Sequence, residues 1–242
     1  MQLTGLHHVT CVCADAQRTL EFYRDELGFS LVKKTVNFDD PHSYHLYFGD
    51  DVGSPGTLMT FFEWPRSEPG RLGRGTLASI GLDSPSIGLE TELLDPDGLR
   101  LHVYPADKPG LRAVVVVGNP DLYVGLFADG GPLDFAPAVE EAALIGPGMT
   151  HHIAWRTPGD AELESWLERL AELGLRPTPV QDRKYFQSVY FRMPDGMLIE
   201  IATDTPGFLV DEPPESLGEA LSLPPWLEPE RATLERELAP IG

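Results

Sequence analysis

The sequence predicts an α+β fold of repeated βαβββ units that form cupped mixed sheets, with the middle units reduced in helix. Three observations predict it. A His-His phrase occurs twice, as Leu6-His7-His8-Val9-Thr10 and Thr150-His151-His152-Ile153-Ala154, and each copy opens a strand-like run. Each run leads into an amphipathic helical stretch closed by a glycine, and then into three short apolar segments. Between the two copies, residues 75–147 alternate as strands do and show no sustained helical period.

The first unit spans residues 5–65. Strand 6–13 leads to Asp15, whose carboxylate suits an N-cap. Leu20, Phe22, Tyr23 and Leu27 supply the apolar face of the helix that follows, and Gly28 stands where a left-handed C-cap is expected. Segments 30–38, 43–48 and 57–62 read as strands separated by Asp-Asp-Pro and Gly-Ser-Pro-Gly turns. The middle, 75–147, reads as strands at 76–82, 86–94, 99–104 and 113–117, with a Pro-Asp-Gly turn at 96–98. Its tail, 130–148, is rich in Pro, Gly and Ala and reads as a linker or loose loop.

The last unit, 148–206, repeats the first. Strand 151–156 precedes helix 160–173, with Leu163, Trp166, Leu167 and Leu170 on one face and Gly174 as its stop. Strands 178–182, 188–192 and 197–202 follow, the last two joined by Pro194-Asp195-Gly196. Residues 207–242 form a Pro-rich extension with a short charged helix from residue 230, and Trp226 is expected to dock on the body.

Composition excludes some function classes. The 38 acidic against 18 basic residues give a net charge of -20, which nucleic acid and anionic membranes would repel. No apolar run approaches the ~20 residues of a transmembrane helix, and no signal-peptide pattern opens the chain. Cys11 and Cys13 lie two apart on one strand, a poor disulfide geometry, and read as reduced core thiols of a cytoplasmic protein. Lys33 and Lys34 read as solvated side chains. A middle reduced in helix leaves sheet edges that favour pairing, so a homodimer is the expected assembly.

The register of the repeat selects candidate ligands. His8 to Thr60 spans nearly the same distance as His152 to Glu200, so position 60 is the counterpart of 200 and carries no ligand carboxylate. Glu200 lies between Ile199 and Ile201. A carboxylate buried there would cost several kcal/mol unless met by a cation, although strand alternation could instead turn it to solvent. His8 and His152, as the second member of each pair, would project with it into one cavity. Imidazole and carboxylate together suit Fe(II), Mn(II), Zn(II) or Ni(II).

The chain resembles the vicinal-oxygen-chelate superfamily of glyoxalases, bleomycin-resistance proteins and extradiol dioxygenases, and within it the ring-cleaving dioxygenases that act on hydroquinones. The resemblance rests on residues 5–10 (Gly-Leu-His-His-Val-Thr), 32–41, 44–50, 53–57, 151–155, 182–190 and 200–203, across roughly residues 1–75 and 148–230. It implies one mononuclear Fe(II) or Mn(II) site held by His8, His152 and Glu200, with the first and last units paired to build the cup. It also implies that His7, Arg183 and Tyr190 line the substrate pocket. Arg183 would hold a phenolate or carboxylate, and Tyr190 would donate a proton or hydrogen bond to a ring hydroxyl. From the residues alone, Tyr190 reads equally as an aromatic filling the cup and Arg183 as a surface ion-pair partner. Against the family pattern the chain is short by several tens of residues, and the shortfall falls in the middle.

The expected function is therefore a metal-dependent dioxygenase that cleaves a hydroxylated aromatic ring with O₂. Two alternatives remain at this stage. A glyoxalase-like lyase or isomerase would work without oxygen, using the metal as a Lewis acid. A non-catalytic protein that binds an aromatic or drug-like molecule would hold little metal, and its affinity would survive chelation.

Overall fold

The two His-His strands run antiparallel, side by side, at the centre of an eight-stranded sheet. The structure is a computed structural model and describes residues 2–128 and 131–242. Position 130, the first of the expected linker, lies outside the described residues.

The first unit supplies β1 (Leu6–Cys13), β2 (Ser30–Asn37), β3 (Asp40–Gly49) and β4 (Leu58–Glu63). Between β1 and β2 lies helix α1 (Ala16–Leu20), which continues as a π-helical stretch through Glu21–Glu26. The Asp15 side chain accepts the Arg18 amide at 2.9 Å and caps α1, as the sequence predicts. The chain leaves this helix through Gly28 at φ +74°, a left-handed turn that a Cβ would strain.

The middle supplies β5 (Leu77–Ser84), β6 (Thr91–Leu94), β7 (Arg100–Pro105), β8 (Gly110–Val117) and β9 (Leu133–Ala136). The last unit supplies β10 (Thr150–Thr157), α2 (Asp160–Glu172), β11 (Gln181–Asp182), β12 (Phe186–Arg192) and β13 (Leu198–Pro206). The C-terminal extension ends in α3 (Arg231–Glu237).

The large sheet runs β11-β12-β13-β10-β1-β4-β3-β2, and the small one β6-β7-β5-β8-β9. In the large sheet β1 pairs in parallel with β4, and β10 with β13, so the antiparallel β1–β10 seam carries a pseudo-twofold axis. Registers obey it. Thr10 faces Thr60 as Ala154 faces Glu200, and Tyr47 faces Thr60 as Tyr190 faces Glu200. Strand alternation turns His8 and Thr10 toward the cup, while Val9 and Cys11 enter the core with Tyr23, Phe61, Ile80 and Val114. That core joins both sheets. Cys11 and Cys13 are free and buried, and burial pushes the Cys13 thiol up to about 12.

Several elements differ from the sequence expectation. The 86–94 strand shrinks to β6, because Pro85 and Gly88 break its first half. The expected linker contains β9, where Leu133 and Phe135 pack against the core from an edge that tolerates the flanking prolines. Strand 178–182 is reduced to β11, and the Thr178 amide instead reaches the Tyr190 carbonyl at 2.8 Å.

Lys33 is the clearest correction. It is fully buried, not solvated, because the C-terminal extension covers β2 and places Asp211 at 2.8 Å and Glu212 against its ammonium. Trp226 sets its ring edge-on to Phe38 at 5.7 Å while half of it stays exposed. Among the described residues no helix is long and apolar enough to cross a membrane.

Candidate metal centre

Strand alternation should send two adjacent histidines to opposite faces of a sheet. Here they stay on one side because each pair sits at a β-bulge. The pairing of β1 with β10 steps from Leu6↔Trp155 to His8↔Ala154, which leaves His7 as the extra residue; it then steps from Thr10↔His152 to Cys11↔Thr150, which leaves out His151. A bulge re-aims a side chain in this way. As a result the His7 and His8 Nδ1 atoms lie 2.9 Å apart, and those of His151 and His152 2.8 Å apart. The first histidine of each pair thus anchors the second, and Nε2 of His8 and of His152 points into the cup.

The two Nε2 atoms are 3.3 Å apart. Glu200 Oε2 lies 3.2 Å from the first and 2.9 Å from the second. Despite that closeness no donor is aligned on Oε2, which is buried without a hydrogen-bond partner. The other carboxylate oxygen, Oε1, accepts from Ser188 Oγ. All three side chains are buried.

A buried carboxylate oxygen facing two imidazole nitrogens, with no hydrogen bond, is electrostatically unresolved unless a cation sits among them. Ligand bonds of ~2.1 Å place neighbouring donor atoms about 3.0–3.4 Å apart, and the observed spacings fall at that separation. His8, His152 and Glu200 therefore fit a divalent metal.

Protonation states agree with that fit. Burial, helped by the neighbouring His8, lowers the His7 imidazole to about 3. Burial beside His152 lowers His151 to about 3. Burial also lowers His152, against the pull of Glu200. For Glu200 burial acts upward, but His8 and His152 outweigh it and hold the carboxyl well below its usual range. Glu200 is thus an ionised carboxylate and burial favours the neutral imidazole of His152, the forms a metal requires of these two donors.

The triad lies at the wall of a cavity of about 310 Å³ that also meets Phe62, Phe186, Tyr190, Arg183, His45 and Tyr47. Arg183 Nε donates to the Tyr190 hydroxyl at 3.0 Å, and its Nη1 pairs with exposed Asp39 at 3.2 Å. Arg183 thus lines the cavity and at the same time pairs with a surface carboxylate. His7 does not line the cavity; it stands behind His8 with its ring 5.0 Å from Phe186.

Among the cavity residues that sequence reasoning missed are His45, Tyr47, Phe62, Asp39, His151 and Phe186. The signal for two of them was present in the repeat. Tyr47 occupies the register position of Tyr190, and His45 that of Ser188.

Comparison with known proteins bears on fold and chemistry. A family model described as the Glyoxalase/Bleomycin resistance protein/Dioxygenase superfamily matches residues 5–201. A Bacillus subtilis protein named "Putative ring-cleaving dioxygenase MhqA" is 33% identical, with all of both chains aligned. That alignment runs over 320 positions against 242 residues here, so the relative carries segments with no counterpart in this chain. The chlorohydroquinone/hydroquinone 1,2-dioxygenase of Sphingobium indicum is 28% identical over 94% of this chain and 93% of its own. A crystal structure from Bacillus subtilis, described as a "putative dioxygenase", superposes with a TM-score of 0.90 at 32% identity, covering 100% of this chain and 98% of that one.

Proposed function

The chain belongs to the Glyoxalase/Bleomycin resistance protein/Dioxygenase superfamily, and from that membership we propose that it is a metal-dependent ring-cleaving dioxygenase acting on a hydroquinone- or catechol-like aromatic with O₂. One observation carries the reading: Oε2 of buried Glu200 faces two imidazole nitrogens at 3.2 and 2.9 Å without a hydrogen bond. His8, His152 and Glu200 hold a single Fe(II) or Mn(II). When bound, the metal supplies a redox-active Lewis acid at which a ring hydroxyl and dioxygen can meet.

The remaining steps belong to the protein's own groups. His7 and His151 fix the tautomer and ring orientation of the two ligand histidines through the Nδ1–Nδ1 contacts. Ser188 holds Glu200 by its other oxygen. Burial, then the nearby Glu200 charge, keeps the Tyr190 phenol protonated. Arg183 donates to the Tyr190 oxygen, so the phenolic hydrogen, which also has the Glu200 carboxylate within reach, can turn to a substrate hydroxyl and deliver a proton as charge develops there. Arg183 adds a fixed positive charge beside the substrate oxygens. Phe62 and Phe186 flank the ring and exclude water.

This reading divides the chain into a first unit at 5–65, reduced middle units at 75–147, a last unit at 148–206 and an extension from 207. It includes a cytoplasmic protein with reduced cysteines and a homodimer built through an edge such as β6, where Leu94 and, just before the strand, Leu89 are exposed. Gel filtration tests the dimer against the 26.6 kDa monomer.

The functional test compares anaerobically purified wild type with Glu200→Gln by elemental analysis, and then measures oxygen uptake with hydroquinones and catechols. The expected result is about one Fe or Mn per wild-type chain, loss of metal in the variant, and uptake only by the loaded wild type. Protein carrying stoichiometric Fe(II) or Mn(II) that consumes no oxygen with any of these rings would falsify the proposal.

A further inference from the structure

The pseudo-twofold that relates the two metal-facing histidines also relates two other parts of the cup. On one side stand Glu200, Tyr190 opposite it on β12, and Ser188 bonded to the carboxylate. On the other side the same positions hold Thr60, Tyr47 opposite it on β3, and His45 bonded to the threonine. The second half cannot contribute a charged ligand, because Thr60 is short and neutral. It is nonetheless built as carefully as the first.

Its side chains form an unbroken hydrogen-bonded chain. Thr10 Oγ1 lies 2.8 Å from Thr60 Oγ1, Thr60 Oγ1 lies 3.0 Å from His45 Nε2, and His45 Nδ1 lies 3.0 Å from the Tyr47 hydroxyl. All four residues are buried, and His45 and Tyr47 line the cavity. The His45 and Phe62 rings lie 4.3 Å apart, and Tyr47 is backed by Phe208 at 5.2 Å. A polar chain this deep is costly unless each member is satisfied. The Tyr47 hydroxyl uses one of its bonding positions on His45 and has another to offer.

We propose that Tyr47 is a second substrate-contacting hydroxyl, the counterpart of Tyr190 across the pseudo-twofold, and that His45 is the positioning residue that holds it. Its ligand is the second oxygen of an aromatic diol, the hydroxyl left over when the first is at the metal centre. The inference rests on the reading of the cavity as a hydroxylated-aromatic site.

The imidazole gives this contact a useful property. A neutral His45 with its hydrogen on Nδ1 donates to the Tyr47 oxygen, which turns the phenolic hydrogen to the substrate. With the hydrogen on Nε2, His45 donates to Thr60 and accepts from Tyr47, which then presents a lone pair to the substrate. Tyr47 therefore meets a hydroxyl as donor or as acceptor without any change in charge. Monohydroxy rings gain nothing from it, so the contact selects diols.

The test is anaerobic titration of the Fe(II)-loaded full chain with hydroquinone and with phenol, alongside metal analysis. Tyr47→Phe is expected to keep the wild-type metal content and phenol affinity while losing on the order of tenfold in hydroquinone affinity, the worth of one hydrogen bond in a buried site. His45→Leu should show the same selective loss, with no further loss in the double variant, since the two act as one unit. His45→Asn, whose amide can still reach the Tyr47 hydroxyl, should recover most of it.

Unchanged hydroquinone binding in Tyr47→Phe overturns the inference. So does an equal loss for both rings, or a loss of metal, either of which assigns Tyr47 to the shape of the site. Those outcomes leave oxygen uptake by the wild type intact. A loaded wild type that neither binds hydroquinone nor consumes oxygen removes the functional reading, and this inference with it.

Discussion

At the scale of single residues, the site depends on keeping histidines neutral in a place that water does not reach. His7 is buried and its imidazole sits at about 3, against 6.5 for the free side chain. A depressed histidine contributes stability that is present above pH 6.5 and is lost as the pH falls toward 3, because the unfolded chain takes up the proton first. Metal-free wild type should therefore lose stability to urea as the pH falls from 6.5 to 5. His7→Asn should shed about 1.4 kcal/mol per pH unit of that slope; an unchanged slope would show that His7 is not held neutral. The doubled phrase made the histidines legible in the sequence, and the carboxylate flanked by isoleucines made Glu200 legible. The roles within each pair were not equally readable. Strand alternation gives no hint that His7 would share a side with His8, because the bulge that turns it exists only once β1 meets β10.

At the scale of elements, each ligand is delivered by the position of its strand in a repeated unit. Position 60 on β4 is the register equivalent of position 200 on β13, with Thr10 and Ala154 as their neighbours. Moving the carboxylate should move the ligand. Glu200→Thr is expected to lose the metal, and Glu200→Thr with Thr60→Glu to regain it at about one per chain, read by elemental analysis of protein prepared without oxygen. A double variant as empty as the single one would mean that the two halves are not interchangeable. Helix positions were encoded more faithfully than short strands: α2 and α3 fall where the sequence placed them, whereas the 86–94 and 178–182 strands are cut short. The first helix passes into a π-helical stretch at Glu21–Glu26, and β9 lies where Pro and Gly suggested a loop. Composition marks flexibility of the chain, whereas an edge strand is decided by what it packs against.

At the scale of the whole molecule, the two sheets share one apolar core, and the C-terminal extension closes the far side of β2. Lys33 is the pin of that closure, paired with Asp211 and Glu212 and lying over the Tyr185 ring at 4.9 Å. Lys33→Met takes the buried ammonium from Asp211, which keeps Lys184 and the Tyr185 hydroxyl, and from Glu212, which keeps only the Ser222 hydroxyl; it should cost about 2–3 kcal/mol, a fall of roughly 4–12 °C in Tm. Adding Glu212→Gln, which removes the carboxylate left with least compensation, should restore most of it; a melting curve unmoved by Lys33→Met would deny the pin. The sequence by itself determined the repeat, its register and the three residues fit to hold a metal, because periodicity and residue chemistry are local properties that survive in one dimension. Only the tertiary structure decided that His7 stands behind His8 while His151 reaches the cavity beside His152, that Lys33 is buried, and that His45 and Tyr47 line the cavity across the pseudo-twofold from the carboxylate. Those outcomes depend on bulges, cross-strand neighbours and a distant segment folding back, and each is fixed by contacts between residues far apart in the chain.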